Sequence, residues 1–125
     1  MALLYQELTG SILRCAYKVH SKLGPGLLES AYEECFYYEL EKAKLIVMKQ
    51  KPMPLIYEEK KLELGYRIDL FVENKVVIEI KSVDTINPVH LAQLMTYLKL
   101  SKCKIGFLIN FNVVSLKDGI KRVIV

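Results

Sequence analysis

The residue types that could do chemistry concentrate in residues 66–81. Asp69 interrupts the apolar run Tyr66-Arg67-Ile68-Asp69-Leu70-Phe71-Val72. Glu79 and Lys81 interrupt a second one, Val76-Val77-Ile78-Glu79-Ile80-Lys81. Apolar, β-branched runs joined by the short polar segment Glu73-Asn74-Lys75 read as a β-hairpin. Two carboxylates offer hard oxygen donors suited to Mg²⁺ or Mn²⁺. Such an ion polarises a phosphoryl oxygen and lowers the pKa of bound water. The Ile80 carbonyl, between Glu79 and Lys81, adds a third oxygen. Lys81 can orient the attacking water or stabilise a charged transition state. The chemistry these residues suit is metal-assisted hydrolysis of a phosphodiester.

Whether the groups meet depends on the hairpin register. Side chains alternate along a strand. A three-residue turn at residues 73–75 sets Val72 opposite Val76 and Asp69 opposite Glu79. One face then carries Asp69, Phe71, Val77, Glu79 and Lys81. The other carries Ile68, Leu70, Val72, Val76, Ile78 and Ile80, all apolar. A two-residue turn would mix Glu79 and Lys81 into the apolar face, so the pattern selects the three-residue turn. The competing reading is a cross-strand salt bridge on a solvated sheet face.

Other candidates are less specific. Glu29, near the start of a helix, suits the helix dipole, or it is a third carboxylate reaching the metal through water. His90, Gln93 and Tyr97 share a helical stripe opposite Leu91, Leu94, Met95 and Leu98. That stripe is either a solvated face or the wall of the same cleft, with Gln93 fixing Lys81 or a phosphate. His20, near the end of the first helix, reads as a cap or core hydrogen-bonder before it reads as a supporting site residue. Gly24-Pro25-Gly26 lacks the Lys-Ser/Thr of a phosphate-binding loop.

These residues need elements to position them. Leu4, Leu8, Ile12, Cys15, Ala16 and Val19 recur at helical spacing and predict a helix to about residue 22. A second helix covers about 27–43. A strand region follows over about 46–58, with Pro52 and Pro54 marking an edge or a bulge. After the hairpin, Asn87-Pro88 starts a helix that ends near residue 100. A buried strand over 105–110 and a short edge strand over 120–125 complete an α/β domain spanning residues 1–125. The expected order is ααβββαβ plus a C-terminal strand, with a mixed sheet flanked by helices.

The 125 residues suffice for one core. No apolar run approaches the roughly 18 residues of a membrane span. The first residues do not read as a signal peptide. Cys15, Cys35 and Cys103, without a CxxC, argue for a cytoplasmic protein and against a zinc site. The net charge of +4 is compatible with a nucleic-acid partner. Lys42, Lys44, Lys49, Lys51, Lys60, Lys61, Lys99, Lys102, Lys104, Lys117, Lys121 and Arg122 are candidates for a phosphate-binding rim. Tyr32, Tyr37, Tyr38, Tyr57 and Tyr66 offer aromatic surface for a homodimer.

Asp69, then Glu79-Ile80-Lys81, then Gln93-Leu94-Met95-Thr96-Tyr97, resembles the PD-(D/E)xK nuclease superfamily with its QxxxY helix. More narrowly, residues 19–32, with Gly26 and Glu29, resemble the small bacterial proteins of the GxxExxxR family. Leu108-Ile109-Asn110-Phe111-Asn112 and Lys117-Asp118-Gly119-Ile120-Lys121-Arg122 fit the same pattern. Two positions depart from it: Glu33 stands where the family motif has Arg, and Ile68 precedes Asp69 in place of Pro.

The resemblance implies a restriction-endonuclease-like core and a Mg²⁺- or Mn²⁺-dependent nuclease, with DNA the expected substrate over RNA. It implies Glu29, Asp69, Glu79 and Lys81 as the catalytic cluster, with Gln93 and Tyr97 in support. The alternative is a non-catalytic nucleic-acid-binding or protein-interaction module on the same fold.

Overall fold

A computed structural model describes residues 5–125. Leu4, the first residue of the apolar helical pattern, lies outside them. Helix α1 (Gln6–Leu23) is followed by α2 (Glu29–Lys42). Strands β1 (Val47–Pro52), β2 (Leu55–Tyr57) and β3 (Lys60–Leu62) precede the hairpin of β4 (Arg67–Val72) and β5 (Val76–Lys81). Helix α3 (Pro88–Ser101), β6 (Ile105–Asn110), a 3₁₀ turn (Leu116–Gly119) and β7 (Ile120–Ile124) close the chain. The expected α/β class and mixed sheet are present.

Five strands form the main sheet in the order β1-β4-β5-β6-β7. Strands β5 and β6 are parallel, joined across α3; the other pairs are antiparallel. The region expected as one strand over 46–58 divides. Its first half pairs with β4 at the sheet edge, where Pro52 leaves no central ladder bond unmade. Its second half forms a separate ribbon with β3, which the sequence reading did not anticipate.

Both faces of the sheet are covered. Leu70, Val72, Val76, Ile78 and Ile80 pack with Ile12, Ala16, Val19, Tyr32, Phe36 and Leu40 of the first two helices. Phe111 stacks on Tyr32 with ring centroids 4.7 Å apart, so Tyr32 is core rather than interface surface. On the other face Phe71, Val77 and Leu108 pack against Leu94, Tyr97 and Leu98 of α3. Ile68 joins this second cluster with Met53, not the Leu70 side its parity predicts. The strict alternation lapses where the ladder opens at Asp69.

Helix α3 starts as its sequence predicts. Pro88 occupies the first turn, and the Asn87 side chain accepts from the Val89 and His90 N–H groups. His90 Nδ1 accepts from the Asn87 N–H, completing the cap. Gly106 lets α3 sit close: a Cβ there would lie 2.8 Å from the Leu94 side chain and 3.0 Å from the Val77 carbonyl.

Candidate active site

The hairpin turn spans the three residues Glu73, Asn74 and Lys75, with Val72 opposite Val76. Glu73 and Asn74 both take left-handed conformations, and the Lys75 N–H donates to the Val72 carbonyl. The register points Asp69 toward Glu79, and the two meet through the Asp69 N–H, although the strict alternation of faces that the sequence predicts does not hold at Ile68–Asp69.

The backbone ladder does not run through this point. Its pairs on the β5 side end at Leu70–Ile78, although both strands continue. The carboxylates take over the free donors. Asp69 N–H donates to Glu79 Oε2 at 3.0 Å, and Ile80 N–H donates to Asp69 Oδ2 at 2.8 Å. On the β1 side, Lys49 pairs with Leu70 and Lys51 with Ile68, and Gln50 between them is not paired with Asp69. Asp69 therefore sits where the sheet is open on both sides, with each carboxylate held by a backbone donor.

Desolvation dominates the electrostatics. Glu79 is 4 % exposed, and burial, followed by the Asp69 charge, pushes its pKa up to about 8. Burial also raises Asp69, with the nearby Glu29 charge adding to it; the Ile80 N–H, Gln50 and Lys81 pull the other way. Lys81 forms no direct ion pair with either carboxylate among the described residues, yet its charge favours the ionised form of both. A solvated salt-bridge face is not what forms here.

Glu29 opens α2, exposed in its first turn, near enough to Asp69 for their charges to interact. Its approach is built by the preceding loop. Tyr32 Oη donates to the Gly24 carbonyl at 2.5 Å, and Ser82 Oγ donates to the Leu27 carbonyl at 2.6 Å. The Gly26 N–H donates to Asn112 Oδ1, and Gly26 takes φ 101°. Asn110, buried at the end of β6, grips Val83 from both sides: its Oδ1 accepts from the Val83 N–H, and its Nδ2 donates to the Val83 carbonyl. The loop carrying Glu29 and the strand end carrying Lys81 are thus tied to one asparagine-rich corner.

Two residues join the site that sequence reasoning missed. Gln50 Nε2 donates to Glu33 Oε1 at 2.6 Å and to Asp69 Oδ1 at 3.3 Å. Glu33 is half-buried, and desolvation raises its pKa. Its signal was present, since Glu33 lies one helical turn after Glu29 on the stripe that continues to Phe36 and Leu40. Gln50 had none, because its place opposite Asp69 depends on the β1–β4 register.

Tyr97 and Gln93 behave differently from their expected stripe. Tyr97 is 3 % exposed and packs with Leu94 and Leu98, whereas Met95, expected in the core, is exposed. The ring lies near enough to Glu79 for that charge, after burial, to raise the phenol's pKa. Gln93 Nε2 reaches Tyr97 Oη at 3.4 Å. His90 is occupied as a cap. His20 Nε2 lies 2.7 Å from the Val113 carbonyl and beside Phe111, tying α1 to the loop after β6 and, among the described residues, forming no hydrogen bond with the carboxylates.

A model of the PD-(D/E)XK nuclease superfamily matches residues 6–123. The chain belongs to this superfamily. No curated protein and no solved structure matches it. Superfamily membership carries a nuclease-type function, with nucleic acid as substrate and divalent metal as the general cofactor. Among the described residues no three His, Cys, Asp or Glu side chains form an all-side-chain metal cage. A buried carboxylate (Glu79) and a half-buried one (Asp69) still suit a Mg²⁺-type ion, which retains several waters and needs only one or two carboxylates. The donor set therefore fits the cofactor.

Proposed function

We propose that the protein is a Mg²⁺- or Mn²⁺-dependent nuclease that hydrolyses phosphodiester bonds in DNA, and that it belongs to the GxxExxxR group within the superfamily. The observation that carries this reading is the convergence of Asp69, Glu79 and Lys81 where the sheet opens. A divalent ion bound there would supply charge neutralisation and an acidified water. Asp69 and Glu79, with the Ile80 carbonyl, would hold it. Each carboxylate is oriented by a backbone N–H, so little reorganisation is needed on binding. Lys81 stabilises the negative charge that develops on the phosphoryl oxygens. Glu29 orients the attacking water from the α2 side. Tyr97 closes the inner wall, with Gln93 as its partner.

The test is cleavage of labelled single- and double-stranded DNA, beside RNA, by wild type and Asp69→Ala with Mn²⁺ and with chelator. Wild type should cut DNA only with the metal, and Asp69→Ala should not cut. Metal-dependent cleavage retained in Asp69→Ala would overturn the assignment.

A further inference from the structure

Among the described residues, seven other than glycine take a positive φ. Gln50, at φ 55°, is the one inside a strand of the main sheet; the others lie at helix ends or in turns. That conformation is disfavoured for a residue with a side chain, and it persists where the surroundings over-determine it. Here it coincides with the gap in the β1–β4 ladder opposite Asp69. The single nitrogen that reaches both Glu33 and Asp69 belongs to this residue.

We infer that Gln50 is a positioning residue for the cation site: its amide ties Glu33 of α2 to Asp69 of β4 and fixes the orientation of both carboxylates. The inference rests on the metal-site reading above. Asp69 has one oxygen held by the Ile80 N–H and the other by Gln50, so its carboxylate plane is set at two points. The Gln50 amide nitrogen lies within hydrogen-bond reach of an oxygen of each acid. A neutral double donor between two acids relieves their repulsion without adding a cation that would compete with a metal. Groups that orient metal ligands are typically worth roughly 10- to 100-fold in metal affinity.

Gln50→Gly separates this role from a merely structural one. Glycine accepts the left-handed backbone, which offsets the lost hydrogen bonds, so the variant should fold. Its Mn²⁺ affinity, read by calorimetry on the whole chain, should fall roughly tenfold or more. Glu33→Ala should weaken binding in the same direction. The double variant should fall short of the product of the two single losses, because both remove one connection. Mn²⁺ affinity of Gln50→Gly within about twofold of wild type, with wild type binding normally, would overturn the positioning role and leave the metal site standing. A wild type that binds no Mn²⁺ would overturn both.

Discussion

At the scale of single residues, the decisive fact is that a buried carboxylate, Glu79, lies beside a half-buried one, Asp69. Glu79 is charged in the unfolded chain above its ordinary pKa of 4.5 but holds its proton to about 8 when folded. The folded state therefore binds more protons across this window. Its contribution to stability is greatest below 4.5 and declines as the pH rises toward 8. Asp69 and Glu33 are raised as well and add in the same direction. Chelator-treated protein should lose stability in denaturant titrations over that range. Glu79→Gln, which keeps the shape and cannot ionise, should flatten the slope and be more stable than wild type at pH 8. An unchanged slope would mean that Glu79 is ionised in the folded protein throughout. Asp69, Glu79 and Lys81 were legible because an apolar alternation with a short turn admits one register. Glu33 was overlooked although its spacing from Glu29 showed it. Gln50 was beyond reach, because no local pattern encodes which residue of an edge strand meets Asp69.

At the scale of elements, the candidate site draws Glu29 from the start of α2, Asp69 from β4, and Glu79 and Lys81 from β5, and these must be held in place. The asparagine corner does much of this. Asn110 is 3 % exposed and satisfies both backbone groups of Val83 as well as the Asn112 N–H. Removing it leaves the part-buried Val83 and Asn112 N–H groups without this acceptor, at up to about 1–3 kcal/mol for an unsatisfied group, while the Val83 carbonyl keeps the Asn112 Nδ2. Asn110→Ala should lower Tm and, at temperatures where it remains folded, slow cleavage by loosening the Lys81 end of β5 against the Glu29 loop. Thermal melts paired with the DNA assay would check this; a lower Tm with a wild-type rate would show that the corner stabilises without positioning. Helix α3 shows how far periodicity reaches. Its start was readable from Asn87-Pro88, but its faces were not. With apolar residues around much of its circumference, the sequence reading put Met95 in the core and Tyr97 on the polar stripe, and the structure reverses both. The β2–β3 ribbon was missed for a related reason: three-residue strands, Leu55–Tyr57 and Lys60–Leu62, are too short for any alternation to stand out.

At the scale of the whole molecule, the sheet is sandwiched between α1 and α2 on one side and α3 on the other. The candidate site lies where the ladder lapses at Asp69, between the two covered faces. No helix among the described residues is long and apolar enough to cross a membrane. The lysines expected to form a phosphate rim divide. Lys49 pairs with Glu34 at 2.6 Å and Lys61 with Glu63 at 3.6 Å, while Lys60, Lys99, Lys102, Lys104, Lys117, Lys121 and Arg122 are exposed. With a net charge of +4, the exposed basic groups favour a polyanionic partner without reading its sequence. Whether Asp69 and Glu79 form a cation site or a purely structural pair decides the function. The most direct measurement is a calorimetric Mn²⁺ titration of wild type, Asp69→Asn and Glu79→Gln at one pH. Saturable binding by wild type that is lost in both folded variants is the predicted result. Equal binding by all three, or none by wild type, would contradict it.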